Sequence, residues 1–133
     1  MRKVFDEVRG TWFSATPEEL VRQMWVRRLV EVFKFPRELI AVEKELQAVT
    51  HWKHVPMRRI DILCFQKVGS ALKPYLLMEC KQGELTDDAF AQVAGYNAYV
   101  EAPYLAVVNM QEARVMHEGK LCDTLPTYEA RHG

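Results

Sequence analysis

The chain has 133 residues, 49% of them hydrophobic, enough for one domain with a real core and too few for two comfortable ones. Its 18 acidic and 18 basic residues cancel, which excludes a protein that coats nucleic acid by bulk charge and confines any nucleic-acid contact to a local patch. Cys64, Cys80 and Cys122 lie far apart and form no C-x-x-C pair, which argues against a disulfide framework or a zinc knuckle and fits a reducing cytoplasm. No apolar run approaches the ~20 residues of a membrane helix, and the opening MRKVFDEVRG lacks a signal-peptide core, so a soluble cytoplasmic protein without membrane association is expected.

No repeat, low-complexity tract or linker interrupts the chain, and residues 1–133 read as a single domain. The first predicted element is a helix in TPEELVRQMWVRRLVEVFKF, with Thr16 as N-cap, Pro17 at the first helical position and Glu19 completing a capping box. Its apolar face is read as Leu20, Met24, Leu29 and Phe33, and it stops before Pro36. ELIAVEKEL then alternates from Ile40 and Val42 to Glu43 and Glu45, as a short strand does. After the loop QAVTHWKHVPM, RRIDILCF and KPYLLMEC form a predicted hairpin around QKVGSA. TDDAFAQVAGYNAYVEAP is a second helix with Thr86 as N-cap, Asp87 and Asp88 in its first turn, and Phe90, Val93, Ala94 and Ala98 along one side. YLAVVNM reads as a strand buried on both faces and reached by a crossover, and ARVMHEGKLCD as a terminal hairpin turning at Glu118 and Gly119. The expected fold is α/β, with a mixed central sheet flanked by helices in the order αβββαβ.

Register in the central hairpin directs attention to three residues. A turn centred near Ser70 sets Asp61 opposite Glu79 and Arg59 opposite Lys81, all on one sheet face, with Ile60, Ile62, Leu76 and Met78 on the other. Opposed carboxylates repel by roughly 0.2–1 kcal/mol, more when buried, so a chain optimised for stability alone would avoid them. A divalent cation would use them: Asp61, Glu79 and the Cys80 backbone carbonyl make part of an octahedron, with Lys81 beside the bound water. The alternative is a salt-bridge cluster on a half-exposed sheet, which the apolar strand YLLMEC disfavours.

Asp61 followed by Glu79-x-Lys81 resembles the D…(D/E)-x-K core of the PD-(D/E)xK nuclease superfamily, and QVAGY matches the Q-x-x-x-Y element of its RecB-like branch through Gln92 and Tyr96. More closely, TPEELVRQ, VEKEL, RRIDILCF, ECK, QVAGYN and PYLAVVN, in that order over roughly residues 16–110, resemble the N-terminal nuclease domain of type I restriction enzyme R subunits. The resemblance implies a restriction-endonuclease-like fold and a Mg²⁺- or Mn²⁺-dependent deoxyribonuclease. It makes Asp61 and Glu79 metal ligands and Lys81 the residue that orients water, with Gln92 and Tyr96 lining the site. Glu19 stands where many members carry a further helix-borne acid, although a capping box explains it as well. Gln92 and Tyr96, one helical turn apart, also fit an ordinary surface pair, and Glu43 fits either a further acid or the polar face of its strand.

HWKHVPMRR places Trp52, Lys53, Arg58 and Arg59 just before the strand of Asp61, a mixture suited to phosphate contact and base stacking but equally to a solvated loop. His51 and His54 lack a further His or Cys nearby in sequence, so zinc is not expected, and Trp12 and Trp25 are assigned to the core. The partners implied are DNA and a motor or methyltransferase subunit, with a homodimer left open. R subunits continue into a motor, and this chain has neither the length nor a G-x-x-x-x-G-K-[ST] loop for one, so translocation is not expected of it. The competing expectation is a non-catalytic module that docks DNA or a partner, or a subunit of a restriction-like assembly.

Overall fold

A computed structural model describes residues 2–131. The chain enters through a small hairpin, β1 (Lys3–Asp6) and β2 (Thr11–Ser14), which the sequence reading left without structure. Asp6 sets its turn: one carboxylate oxygen accepts from the amides of Val8 and Arg9, and Gly10 supplies the positive φ of +69° that closes it.

Helix α1 (Pro17–Glu31) starts as expected, the Thr16 hydroxyl accepting from the Glu19 amide at 3.1 Å. Its buried face is nonetheless Val21, Trp25, Val26 and Leu29, and Leu20 is exposed. Of the expected stripe, Leu29 is buried, Met24 and Phe33 pack half-buried against the core, and only Leu20 turns out, because the helix also buries Glu19, Arg22 and Gln23 and polar residues on the inner face mask its apolar period. Trp25 is in the core, and its indole Nε1–H donates to the Asn109 carbonyl at 2.8 Å. Trp12 is not: 61% exposed, it packs edge-on against Phe5 across the entry hairpin.

Six strands then form one mixed sheet in chain order: β3 (Ile40–Glu45), β4 (Arg59–Val68), β5 (Ala71–Cys80), β6 (Tyr104–Val108), β7 (Ala113–His117) and β8 (Lys120–Cys122). Only the β5–β6 pairing is parallel, and α3 (Asp87–Val100) makes the crossover between those strands. A 3₁₀ turn (Arg37–Leu39) precedes β3, and a short helix α2 (Leu46–Val49) follows it inside the predicted loop. The observed order departs from αβββαβ by these two pieces and by a hairpin at each end. The terminal hairpin turns at Glu118 and Gly119, both at positive φ.

Two apolar layers cover the sheet. Helix α1 packs on Ile62, Cys64, Leu76 and Met78, and α3 packs Ala89, Val93 and Val100 on Ile60, Leu63, Leu77 and Val107. Ala94 and Ala98 of α3 are exposed, since two methyl groups contribute too little apolar area to fix which side turns inward. No helix among the described residues is long and apolar enough to cross a membrane.

Two irregularities aim the site. The β4–β5 turn falls at Gly69–Ser70, half a residue from the expected centre, and a bulge at Tyr75 returns the pairing to Cys64–Leu76 and Ile62–Met78. Carried one residue further, that register sets Asp61 opposite Glu79. The expectation that Ile60 shares a face with Ile62 fails, because Ile60 packs under α3 and Ile62 under α1. Side-chain alternation slips at Asp61, where the β3–β4 ladder pairs Val42 with Ile62 and Lys44 with Ile60 but skips the step between. Glu43, in that step, has a left-handed φ of 56°, a conformation that costs a non-glycine residue roughly 1 kcal/mol or more.

Candidate active site

The slip turns the Asp61 carboxylate toward α1, where Arg22 Nη2 donates to its Oδ1 at 2.8 Å. Its Oδ2 accepts from the Cys80 amide at 2.9 Å, which ties β4 to the end of β5. Glu79, buried on β5, has an Oε1 with no hydrogen-bond partner among the described residues. Burial, then the neighbouring Asp61 charge, push the Glu79 carboxyl up to about 8, against a smaller opposing pull from Lys81. The repulsion expected between opposed carboxylates is eased where burial and the Asp61 charge disfavour an ionised Glu79. Asp61 pairs with Arg22 at 2.8 Å, and burial favours the neutral form of Glu79 beside it.

Asp61, Glu79, Cys80 and Lys81 open on a cavity of about 410 Å³, joined there by Glu18 and Glu43. Met57, Arg58 and Arg59 border it from the loop before β4. Lys81 is half-buried, and its amide donates to the Val108 carbonyl at 2.8 Å, which fixes the backbone just beyond β5. The convergence of Arg59, Asp61, Glu79 and Lys81 thus comes from the local break in alternation and not from a shared face.

Arg22 was missed by sequence reasoning, because an arginine amid a charged helix reads as solvated. It is 3% exposed, and its guanidinium meets Glu18, Glu19, Glu43 and Asp61 at 3.0, 2.9, 2.5 and 2.8 Å. Glu19 does not close the capping box. The Thr16 amide donates instead to the Ser14 carbonyl, and the Glu19 carboxylate is held by Arg9 at 2.6 Å, Gln23 at 3.1 Å and Arg22. Burial would raise the Glu19 pKa, but these three partners outweigh it and hold the group below the ordinary carboxylate range. The helix-borne acid that reaches the cavity is Glu18, one residue earlier.

The remaining expected residues sit farther out. Gln92 is exposed on α3 and does not border the cavity, whereas Tyr96 lies beneath the Arg58 guanidinium, 4.5 Å from ring centroid to Cζ. Trp52 stacks on His51 and meets Tyr99 of α3 edge-on, and Lys53 is exposed beside it. Arg59 pairs with Glu43 at 3.5 Å.

The donors around the cavity are carboxylate oxygens, and Glu18, Glu43 and Asp61 offer oxygens within 4.8 Å of one another. With the buried, unpartnered Glu79 oxygen close by, this set fits a hard divalent cation that takes oxygen ligands. A search of curated proteins returns no match for the chain. The family model described as "Type I restriction enzyme R protein N terminus" matches residues 17–126, from the start of α1 to beyond β8 and including every residue that lines the cavity. The chain therefore belongs to the family of type I restriction enzyme R protein N termini, which gives it a restriction-related role.

Proposed function

We propose that the chain is a metal-dependent nuclease of the PD-(D/E)xK kind that hydrolyses phosphodiester bonds in DNA. The observation that carries this reading is the buried pair of Asp61 and Glu79, one oxygen unpartnered, opening with Lys81 into a polar cavity bordered by two arginines. Asp61, Glu79 and the Cys80 carbonyl would hold Mg²⁺ or Mn²⁺, which when bound supplies charge for the scissile phosphate and lowers the pKa of its water. With a metal held there, its charge would favour the ionised form of Glu79. Lys81, fixed by its backbone bond to Val108, holds the attacking water in line. Arg58, Arg59, Lys53 and Trp52 receive the DNA, with Tyr96 supporting Arg58 from below. Glu19 acts one step back, by anchoring Arg22, and Gln92 is available to the DNA from its exposed position on α3.

A second reading is a module that docks DNA or a partner within a restriction assembly without cleaving. One observation favours it: Asp61 is already paired with a buried arginine. Nicking of supercoiled plasmid in Mn²⁺ separates the two. The wild type should nick, and Lys81→Met, which keeps the backbone bond to Val108, should lose about 100-fold or more while melting like the wild type. DNA binding without nicking in either Mg²⁺ or Mn²⁺ would favour the docking reading, and equal nicking by Lys81→Met would remove Lys81 from the chemistry.

A further inference from the structure

Arg22, so far only a partner of carboxylates such as Glu19 and Asp61, has its guanidinium placed as a cation would be. The Nη2 atom lies 3.0 Å from Glu18 Oε1, 2.5 Å from Glu43 Oε1 and 2.8 Å from Asp61 Oδ1. Oxygens of these same three residues lie within 4.8 Å of one another, so one nitrogen sits amid an all-oxygen trio. That nitrogen has only two hydrogens. Glu18 and Asp61 take them in hydrogen bonds, and Glu43 is held as an ion pair. The buried Nε–H of the same side chain meets no acceptor among the described residues. A guanidinium used for directional bonding sets its fork on one carboxylate, two donors to two oxygens. Here one nitrogen serves three carboxylates and another serves none, which is the duty of a compact cation. The left-handed backbone of Glu43 points the same way, since strain is kept where it brings a third carboxylate to that nitrogen.

We infer that Arg22 is a resident counter-ion that stands in for a divalent cation. It holds Glu18, Glu43 and Asp61 together in the metal-free protein and must draw back from Asp61 and Glu43 for a metal ion to bind. The inference rests on the metal-dependent reading above and makes Arg22 a positioning residue. A retreat exists: Nη1 already contacts Glu19 Oε2 at 2.9 Å, and Arg9 and Gln23 anchor Glu19 independently. Glu19 is thus the fixed post to which the guanidinium stays attached.

Calorimetric titration of the whole chain with Mn²⁺, in the absence of nucleic acid, tests this by comparing wild type with Arg22→Met, which keeps the packing stem and removes the charge. Binding should tighten about tenfold or more in the variant. Mn²⁺ should also raise its melting temperature more than that of the wild type. Removing a partner of several buried carboxylates can prevent folding, so a second measurement uses the wild type alone. In uniformly ¹⁵N-labelled protein, the Arg22 Nε–H resonance should shift during Mg²⁺ titration in step with the amide of Asp61. Should the wild type bind metal while the Arg22 resonance stays still, or should the variant bind no more tightly, the inference is overturned and the nuclease reading stands. Absence of binding by the wild type and by a folded variant removes both.

Discussion

Burial beside Asp61 favours the neutral form of Glu79, and this ties the stability of the metal-free protein to pH. Burial and the Asp61 charge raise its folded-state pKa to about 8, above the unfolded value, so between the two the folded protein holds the extra proton. Its contribution is fully present below the ordinary glutamate range and is lost as pH climbs toward 8. Glu79→Gln copies the protonated side chain and removes the titration. In chelator, the variant should match the wild type near pH 5 and exceed it by on the order of a few kcal/mol at pH 8, as read by urea unfolding at each pH. Wild-type stability flat between pH 5 and 8 would show that Glu79 does not carry a raised pKa. Glu19 and Asp6 act in the opposite sense. Their pKa values are held low against burial, by Arg9 above all, so their contribution is lost as pH falls below the ordinary carboxylate range. The register that sets Asp61 opposite Glu79 was legible, although the turn lies half a residue off and the Tyr75 bulge restores the pairing. Arg22 and Glu18 were not, because Glu43 and Asp61 reach them from β3 and β4, far away along the chain.

Between α2 and β4 the loop is a closed piece of structure. The Leu46 amide donates to the Arg58 carbonyl at 2.7 Å, which joins its ends, and the Thr50 hydroxyl donates to the Tyr99 carbonyl of α3 at 2.6 Å. Held in this way, it sets Arg58 at the rim of the cavity and Trp52 and Lys53 exposed farther out, while Arg59 is turned to Glu43. With no net charge on the whole chain, the proposed DNA binding needs a local basic patch, and this loop offers one. Lys53→Ala with Arg58→Ala should flatten the salt dependence of DNA binding by nearly two log units per log unit of salt, about one for each phosphate no longer neutralised. Arg59→Ala should change the slope less, since its guanidinium is already paired with Glu43. Fluorescence anisotropy over a salt series measures both, and an unchanged slope in the double variant would move the footprint to another face. The basic and aromatic mixture was legible from composition. The entry hairpin was not, because strands of four residues carry little period-two signal, nor was α2, too short to show helical periodicity.

Across the molecule, the candidate site depends on several elements ending at one place, and Asn109 joins three of those ends. Its backbone carbonyl accepts from Trp25 of α1. Its side-chain amide donates to the Gly83 carbonyl at 2.9 Å, two residues beyond Lys81, and its Oδ1 accepts from the amides of Gln111 and Glu112 at 2.9 and 2.8 Å. A buried asparagine with this many bonds shapes the turn from β6 to β7 and pins the chain leaving β5. The family relationship places that point within the matched segment, so the tie belongs to the same unit as the cavity. Asn109→Ala removes the side-chain bonds and leaves the Gly83 carbonyl and two turn amides to seek water, which should lower stability by about 2–3 kcal/mol in urea unfolding. The site should feel this through Lys81. Because Trp25 bonds the backbone, which alanine keeps, α1 and the Arg22 cluster should hold, and Mn²⁺ affinity should change little while nicking falls. Equal loss of metal binding and nicking would mean instead that Asn109 supports the Asp61 side of the site, and that α1 is fixed to the sheet less by its apolar face than by this one residue.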